Sequence, residues 1–235
     1  MPGTLRHSFQ EYPHEYFGYF NDFLNGQDYI AADWVITTTE AGVGSATEAL
    51  AQAGIGGHLV ITNDAADNDL DFLQQSHDGG TTALEAYSFV AGKKLSFMAR
   101  FKVLEVLQCD FVLGLQITDT TPLAVSDGVF FRCDDGDALL DAVICKDATE
   151  TVLAGVHTMV ADTFVEVELY YDGRVTNAGA ATGGFEVIVN GVNVGTLVLT
   201  NAPDDEELCI SFGIMNGEAV ANIMTLDYIS VVQQR

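Results

Sequence analysis

Carboxylates are the side chains of this sequence best placed to do chemistry, and they occur in two arrangements. In the first, Glu166 and Glu168 alternate with Val165, Val167 and Leu169. A strand there puts both glutamates on one face, because successive side chains point to opposite sides of a sheet. Two carboxylates so placed can act as acid and base, or as acid and nucleophile, across a glycosidic bond. The simpler role is the wet side of an ordinary strand, and it is the one expected, since a catalytic pair also needs a cleft. In the second arrangement, hard oxygen donors crowd short turns. Asp134, Asp135 and Asp137 share one turn; Asp64, Asp67, Asn68, Asp69 and Asp71 share another. Such donors suit calcium, but neither turn has the alternating donors and closing glutamate of an EF-hand loop. Loop geometry therefore decides. Asp134, Asp135 and Asp137 are the candidate calcium ligands, and no other cofactor is expected.

Other chemistries find less support. There is no Gly-x-Ser-x-Gly elbow, and pairing Cys109 or Cys145 with His157 would rest on residue type alone. His7, His14, His58, His77 and His157 stand apart from one another and fit surface or loop positions. Gly42-Val-Gly44-Ser lacks both the lysine of a P-loop and the glycine spacing of a dinucleotide fingerprint. Cys109, Cys133, Cys145 and Cys209 show no CxxC spacing and are expected as free, buried thiols. No enzymatic role is expected from this inventory. Charge narrows the partners further: 34 acidic against 9 basic residues gives −25. Phosphate backbones and anionic lipid need Lys and Arg, so neither nucleic acid nor membrane is an expected partner. The charge serves solubility, or an outward surface in a crowded assembly. With 48% hydrophobic and 18% charged residues the chain reads as globular. No apolar run approaches the roughly 20 residues of a membrane span. Met1-Pro-Gly-Thr-Leu-Arg-His lacks a secretory signal, so synthesis in a cytoplasm is expected.

The elements that must position these groups fall into three zones. Residues 1–28 form an aromatic-rich lead with Phe9, Tyr12, Tyr16, Phe17, Tyr19, Phe20 and Phe23. Their spacing suits a helix starting near Pro13, which Gly18 weakens, or a folded arm. Residues 29–92 mix strands (29–39, 58–62, 72–75, 86–90) with loops and a short helix near Thr47–Gln52. Residues 93–235 are dense in strands: 95–106, 110–118, 128–133, 139–146, 151–154, 164–171, 185–189, 194–200, 208–216 and 223–232. Asp-Gly and Asn-Gly pairs punctuate them, the clearest being Asn190-Gly191 between two β-branched runs, the signature of a type I′ hairpin. Alternation with one wet face predicts antiparallel sheets. The expectation is an all-β, two-sheet jelly-roll sandwich over 29–235 with an N-terminal extension over 1–28.

Residues 93–235 resemble the concanavalin A-like lectin/glucanase sandwich as it occurs in tailed-phage virion proteins. The matching pieces are Gly92–Lys102, Asp127-Gly128-Val-Phe-Phe-Arg132, Glu166–Gly173, the Asn190-Gly191 hairpin and Leu226–Arg235. The Trp34 segment extends the likeness as an opening strand. Enzymatic members of that fold carry Glu-x-Asp-x-x-Glu or Glu-x-Asp-x-Glu on one strand. No such string occurs here, and no aspartate separates Glu166 from Glu168. The resemblance implies capsid decoration or cement proteins, head fibres and tail-associated modules.

On that resemblance the expected role is a decoration or cement protein on the capsid exterior. It would be a homo-oligomer, with a trimer as the expected state, seated on the major capsid protein. The expected contacts are Tyr16, Phe17, Tyr19, Phe20 and Phe23 of the lead, with the basic residues Lys93, Lys94, Arg100 and Lys102. The basic group has a second reading, an edge strand guarded by lysine. The alternative role is a carbohydrate-binding module of a head or tail fibre.

Overall fold

The computed structural model describes residues 12–24, 29–51 and 56–235. Among them the strands run, in chain order, β1 (Tyr16–Asn21), β2 (Trp34–Thr39), β3 (Thr47–Ala51), β4 (His58–Thr62), β5 (Leu70–Gln75) and β6 (Tyr87–Ser88). Then come β7 (Leu95–Val103), β8 (Cys109–Gln116), β9 (Gly128–Cys133), β10 (Leu139–Lys146), β11 (Thr149–Thr158) and β12 (Val165–Tyr171). The last four are β13 (Gly184–Val189), β14 (Val192–Val198), β15 (Glu207–Asn216) and β16 (Ile223–Gln234). Two single 3₁₀ turns, Ala31–Asp33 and Pro122–Ala124, are the described helical segments. No helix among the described residues is long and apolar enough to cross a membrane.

Two antiparallel sheets stack into a sandwich. The first runs β14-β13-β12-β7-β16-β4-β3, and the second runs β11-β10-β9-β8-β15-β5-β2. The longest strand, β16, organises the first sheet. One side pairs along β7, while the other pairs with β4 through Ile223–Leu226 and with β1 through Ile229–Gln234. A register shift between Leu226 and Tyr228 marks the changeover. Local chemistry sets the turns. Asn190 and Gly191 both take positive φ (50° and 77°), as a type I′ hairpin between β13 and β14 requires. Asp147 and Ala148 do the same between β10 and β11 at 49° and 57°.

Alternation along the strands delivers one apolar face to the space between the sheets. Phe97, Phe101, Leu169 and Phe185 from the first sheet meet Trp34, Phe111, Phe131 and Phe212 from the second. Each is at most 2% exposed, and burying such a side chain stabilises by about 1.5–3 kcal/mol. The outer face of the second sheet carries a smaller cluster of Phe72, Val112, Phe130 and Val143. Val125 joins that cluster and Leu123 packs against it, both from the segment around the Pro122–Ala124 turn.

Two local expectations are corrected. The aromatic lead is a strand over Tyr16–Asn21 and not a helix. Phe17 and Tyr19 pack on the core while Phe20 faces solvent, a period of two that sustained contact with β16 selects over the helical spacing. Thr47–Ala51 is likewise the edge strand β3 and not a helix, because its residues pair with β4 from Thr47↔Thr62 to Ala51↔His58. A ladder partner overrides weak helical propensity.

Candidate functional site

The outward face of the first sheet gathers much of what the sequence singled out. In the ladder Glu166 lies opposite Arg100, and Arg100 opposite Tyr228. Tyr228 donates its hydroxyl to Glu166 Oε2 at 2.6 Å, and Ser96 donates to Glu168 Oε1 at 3.1 Å. Arg100 pairs with Asp227, whose other oxygen lies 3.8 Å from His58 Nε2. The Arg100 guanidinium sits 4.3 Å from the centre of the Phe164 ring, with the Lys102 ammonium 5.2 Å away. Phe20, about half exposed, borders Tyr228 with ring centres 6.4 Å apart. The two glutamates thus share a face as expected, Glu168 held by Ser96 of the adjacent β7 and Glu166 by Tyr228 of β16, one strand further along the sheet.

The expected contact residues divide. Phe20, Arg100 and Lys102 lie on this face, and Tyr16 is near enough to Tyr170 to act on its ionisation. Phe17 stacks on Tyr87 at 5.8 Å, Tyr19 meets Trp34 edge-on at 6.3 Å, and Phe23 is 1% exposed. Phe23 therefore cannot dock a neighbour; it is core. Lys93 reaches the backbone carbonyl of Arg235, and the Lys94 backbone N–H donates to Gln234 Oε1, so both serve the end of β16.

The candidate calcium ligands point to separate tasks. Asp134 lies 3.0 Å from Arg132 Nε, an ion pair without hydrogen-bond alignment. Asp135 donates its backbone N–H to Asp110 Oδ1 at 2.8 Å, while Asp137 Oδ1 accepts from the Leu139 N–H at 2.8 Å. Among the described residues no three acidic, histidine or cysteine side chains converge as metal ligands. What forms instead is an acidic surround for Arg132, which forks onto Glu150 at 2.7 and 3.2 Å. Burial raises the pKa of Asp134, with Asp141, Glu150 and Asp137 adding to it against the pull of Arg132. Burial also raises Asp110.

A concavity of about 440 Å³ opens where the loop after β14 meets the end of β10. Phe89 and Leu199 line it with Lys146, Asn201, Ala202 and Asp204. Phe89 is held by Tyr171 and Phe185, with ring centres 4.9 and 5.8 Å away. Lys146 pairs with Asp204 and, at 2.8 Å, with Asp205. Its hydrogen bond holds the Asp204 carboxyl below the usual range. Asn201, at φ 62°, donates Nδ2 to Thr151 Oγ1 at 3.0 Å. One cation, one carboxylate and one amide over an apolar floor can donate to and accept from vicinal hydroxyls. Sequence reasoning missed this site. Its signal was an asparagine and two aspartates after a strand, together with one of the chain's few lysines.

No family model matches the chain, and no curated protein sequence matches it. Its likeness is structural. The family 16 glycoside hydrolase of a Bacteroides ovatus mixed linkage glucan PUL aligns with 91% of this chain and 99% of its own, at 10% identity and TM-score 0.58. The Emp47p carbohydrate recognition domain aligns over 93% and 96%, at 10% identity and TM-score 0.57. The endo-β-1,4-glucuronan lyase of the fungus Trichoderma reesei aligns over 91% and 94%, at 13% identity and TM-score 0.54. Such identities show the fold alone: a concanavalin A-like jelly roll, as in lectin domains and glycoside hydrolases. The expectation that the chain is not an enzyme is corrected by these neighbours, which include two kinds of polysaccharide-cleaving enzyme. The missing glutamate string was too narrow a criterion, since a lyase is by its nature no hydrolase.

Proposed function

We propose that the chain recognises carbohydrate. The observation that carries the reading is the concavity in which Lys146, Asn201 and Asp204 surround the floor made by Phe89 and Leu199. The fold supports it, because carbohydrate recognition domains and glycan-cleaving enzymes share this sandwich. The resemblance of residues 93–235 to phage virion sandwiches supports a finer form, a glycan-binding module displayed on a head or tail fibre. Glycan-array screening followed by calorimetry tests the reading. One class of glycan binds saturably, and Asn201→Ala or Asp204→Ala weakens it about tenfold, as losing one hydrogen bond of ~1–1.5 kcal/mol predicts. An array without a saturable hit, or a hit indifferent to both substitutions, overturns it. Product release measured on the same glycan decides whether recognition comes with turnover.

A second reading, the capsid decoration or cement protein, is favoured by the outward face of the first sheet. Phe20, Arg100 and Lys102 lie together there on an otherwise acidic molecule, a combination suited to docking. In this reading the chain is a homo-oligomer bound to the major capsid protein on the virion exterior. Stoichiometric addition to bare capsids, with a rise in their thermal threshold lost in Arg100→Glu, supports it. A chain that neither binds capsids nor self-associates removes it.

A further inference from the structure

We propose that Glu48 and Asp71 bind one calcium-class divalent cation in the corner where β3 of the first sheet faces β5 of the second. Asp71 lies on the inward side of β5, two residues from the core residue Leu73, and is 0% exposed. Neither of its carboxylate oxygens has a hydrogen-bond donor. Two neighbours share the deficit. Asp69 Oδ2 and Asn63 Oδ1 are buried and unpartnered as well, in residues 1% and 0% exposed. Hydrogen bonds tie the three residues into one corner. Asn63 Nδ2 donates to the Asp69 carbonyl at 2.8 Å and to the Ile214 carbonyl at 3.1 Å, and Ile214 is the ladder partner of Asp71. Across the gap, Glu48 approaches Asp71 and accepts the Tyr29 hydroxyl at 3.3 Å. The loop 40–46 closes over the corner, with the Ala41 N–H on Asp69 Oδ1 at 2.6 Å.

Charge makes the case for a ligand. None of the described ion pairs includes Glu48, Asp69 or Asp71. Asp71 is fully buried, and Glu48 and Glu40, the acidic groups that act on it, carry its own sign. A proton between Asp71 and Glu48 would satisfy one oxygen and leave the other acceptors orphaned, each costing about 1–3 kcal/mol. A hard cation takes several oxygens at once, mixing carboxylates with amide and backbone carbonyls and water. No three carboxylates meet here. The shell would therefore hold two charged donors, with neutral oxygens such as Asn63 Oδ1 for the rest, which suits calcium better than the octahedral demand of magnesium.

The test uses the full chain stripped with a chelator, then titrated with calcium chloride against sodium chloride of equal ionic strength. Calcium binds at one site per chain in calorimetry and raises the melting temperature above the sodium control. Asp71→Asn and Glu48→Gln each abolish both signals; Glu48 is partly exposed on an edge strand, so its variant remains testable where Asp71→Asn fails to fold. Asp134→Asn, at the other acidic turn, leaves both signals intact. A melting temperature that rises no further with calcium than with sodium overturns the proposal. So does a calcium response that survives in Glu48→Gln, or one that disappears in Asp134→Asn.

Discussion

Arg132 reaches from β9 into a ring of carboxylates, and its side chain is only 15% exposed. Its fork onto Glu150 and its contact with Asp134 join a mostly buried cation to carboxylates that are 33% and 57% exposed, so water still screens them in part. Arg132→Met should cost about 1 kcal/mol in urea unfolding at neutral pH. The pH dependence follows from Asp110 and Asp134, both raised by burial. A carboxyl whose folded pKa is raised binds its proton more tightly when folded. Its contribution is complete below the unfolded value and is lost as pH rises through the folded one. Arg132 pulls both groups down, so the variant's deficit should be largest at neutral pH and shrink on acidification. An equal deficit at acidic pH would refute the electrostatic account. The four cysteines are free and buried. Burial pushes Cys145 up to about 11, and Cys133 and Cys209 up to about 12. A thiol reagent should therefore leave all four untouched in the native protein and label them only in denaturant; rapid native labelling would place a thiol at the surface.

At the scale of the element, β1 depends on one residue. A Cβ on Gly18 would lie 2.1 Å from the Val231 carbonyl oxygen, a backbone atom that cannot step aside without breaking the ladder. Gly18→Ala should unseat β1 from β16, expose Phe17 and Tyr19, and destabilise by about 1–3 kcal/mol. Hydrogen exchange reads the outcome directly: amides of Tyr16–Asn21 lose protection while β7 keeps its own. Unchanged protection in β1 would show that the strand tolerates the methyl by shifting register. The Asn190-Gly191 turn, open to solvent, carries no such burden. There the positive φ of Gly191 is the whole requirement, with nothing within 4 Å of an added Cβ.

For the whole molecule, −25 net charge on one chain is a self-repulsion that folding concentrates. Sodium chloride should raise the melting temperature steadily up to about 0.5 M as the Debye length contracts below ~5 Å. A melting temperature that falls or stays flat would mean that local pairs such as Arg132–Glu150 outweigh the global term. The strand pattern of residues 93–235, the hairpin at Asn190-Gly191, the buried thiols and the shared face of Glu166 and Glu168 were all legible in the sequence. Each depends on a period of two or on the φ preferences of single residues, and such preferences act locally. The strand identity of Tyr16–Asn21 and Thr47–Ala51 was not legible, since only the partners β16 and β4 make those segments extended. Nor was either polar cluster. Lys146 meets Asn201 and Asp204, and Glu48 faces Asp71, because sheet order and register carry distant segments together. Short-range residue preferences therefore determined most of the strands and the turns of this chain, and composition its charge. Long-range pairing, driven by burial of the shared core, decided which of its polar groups meet.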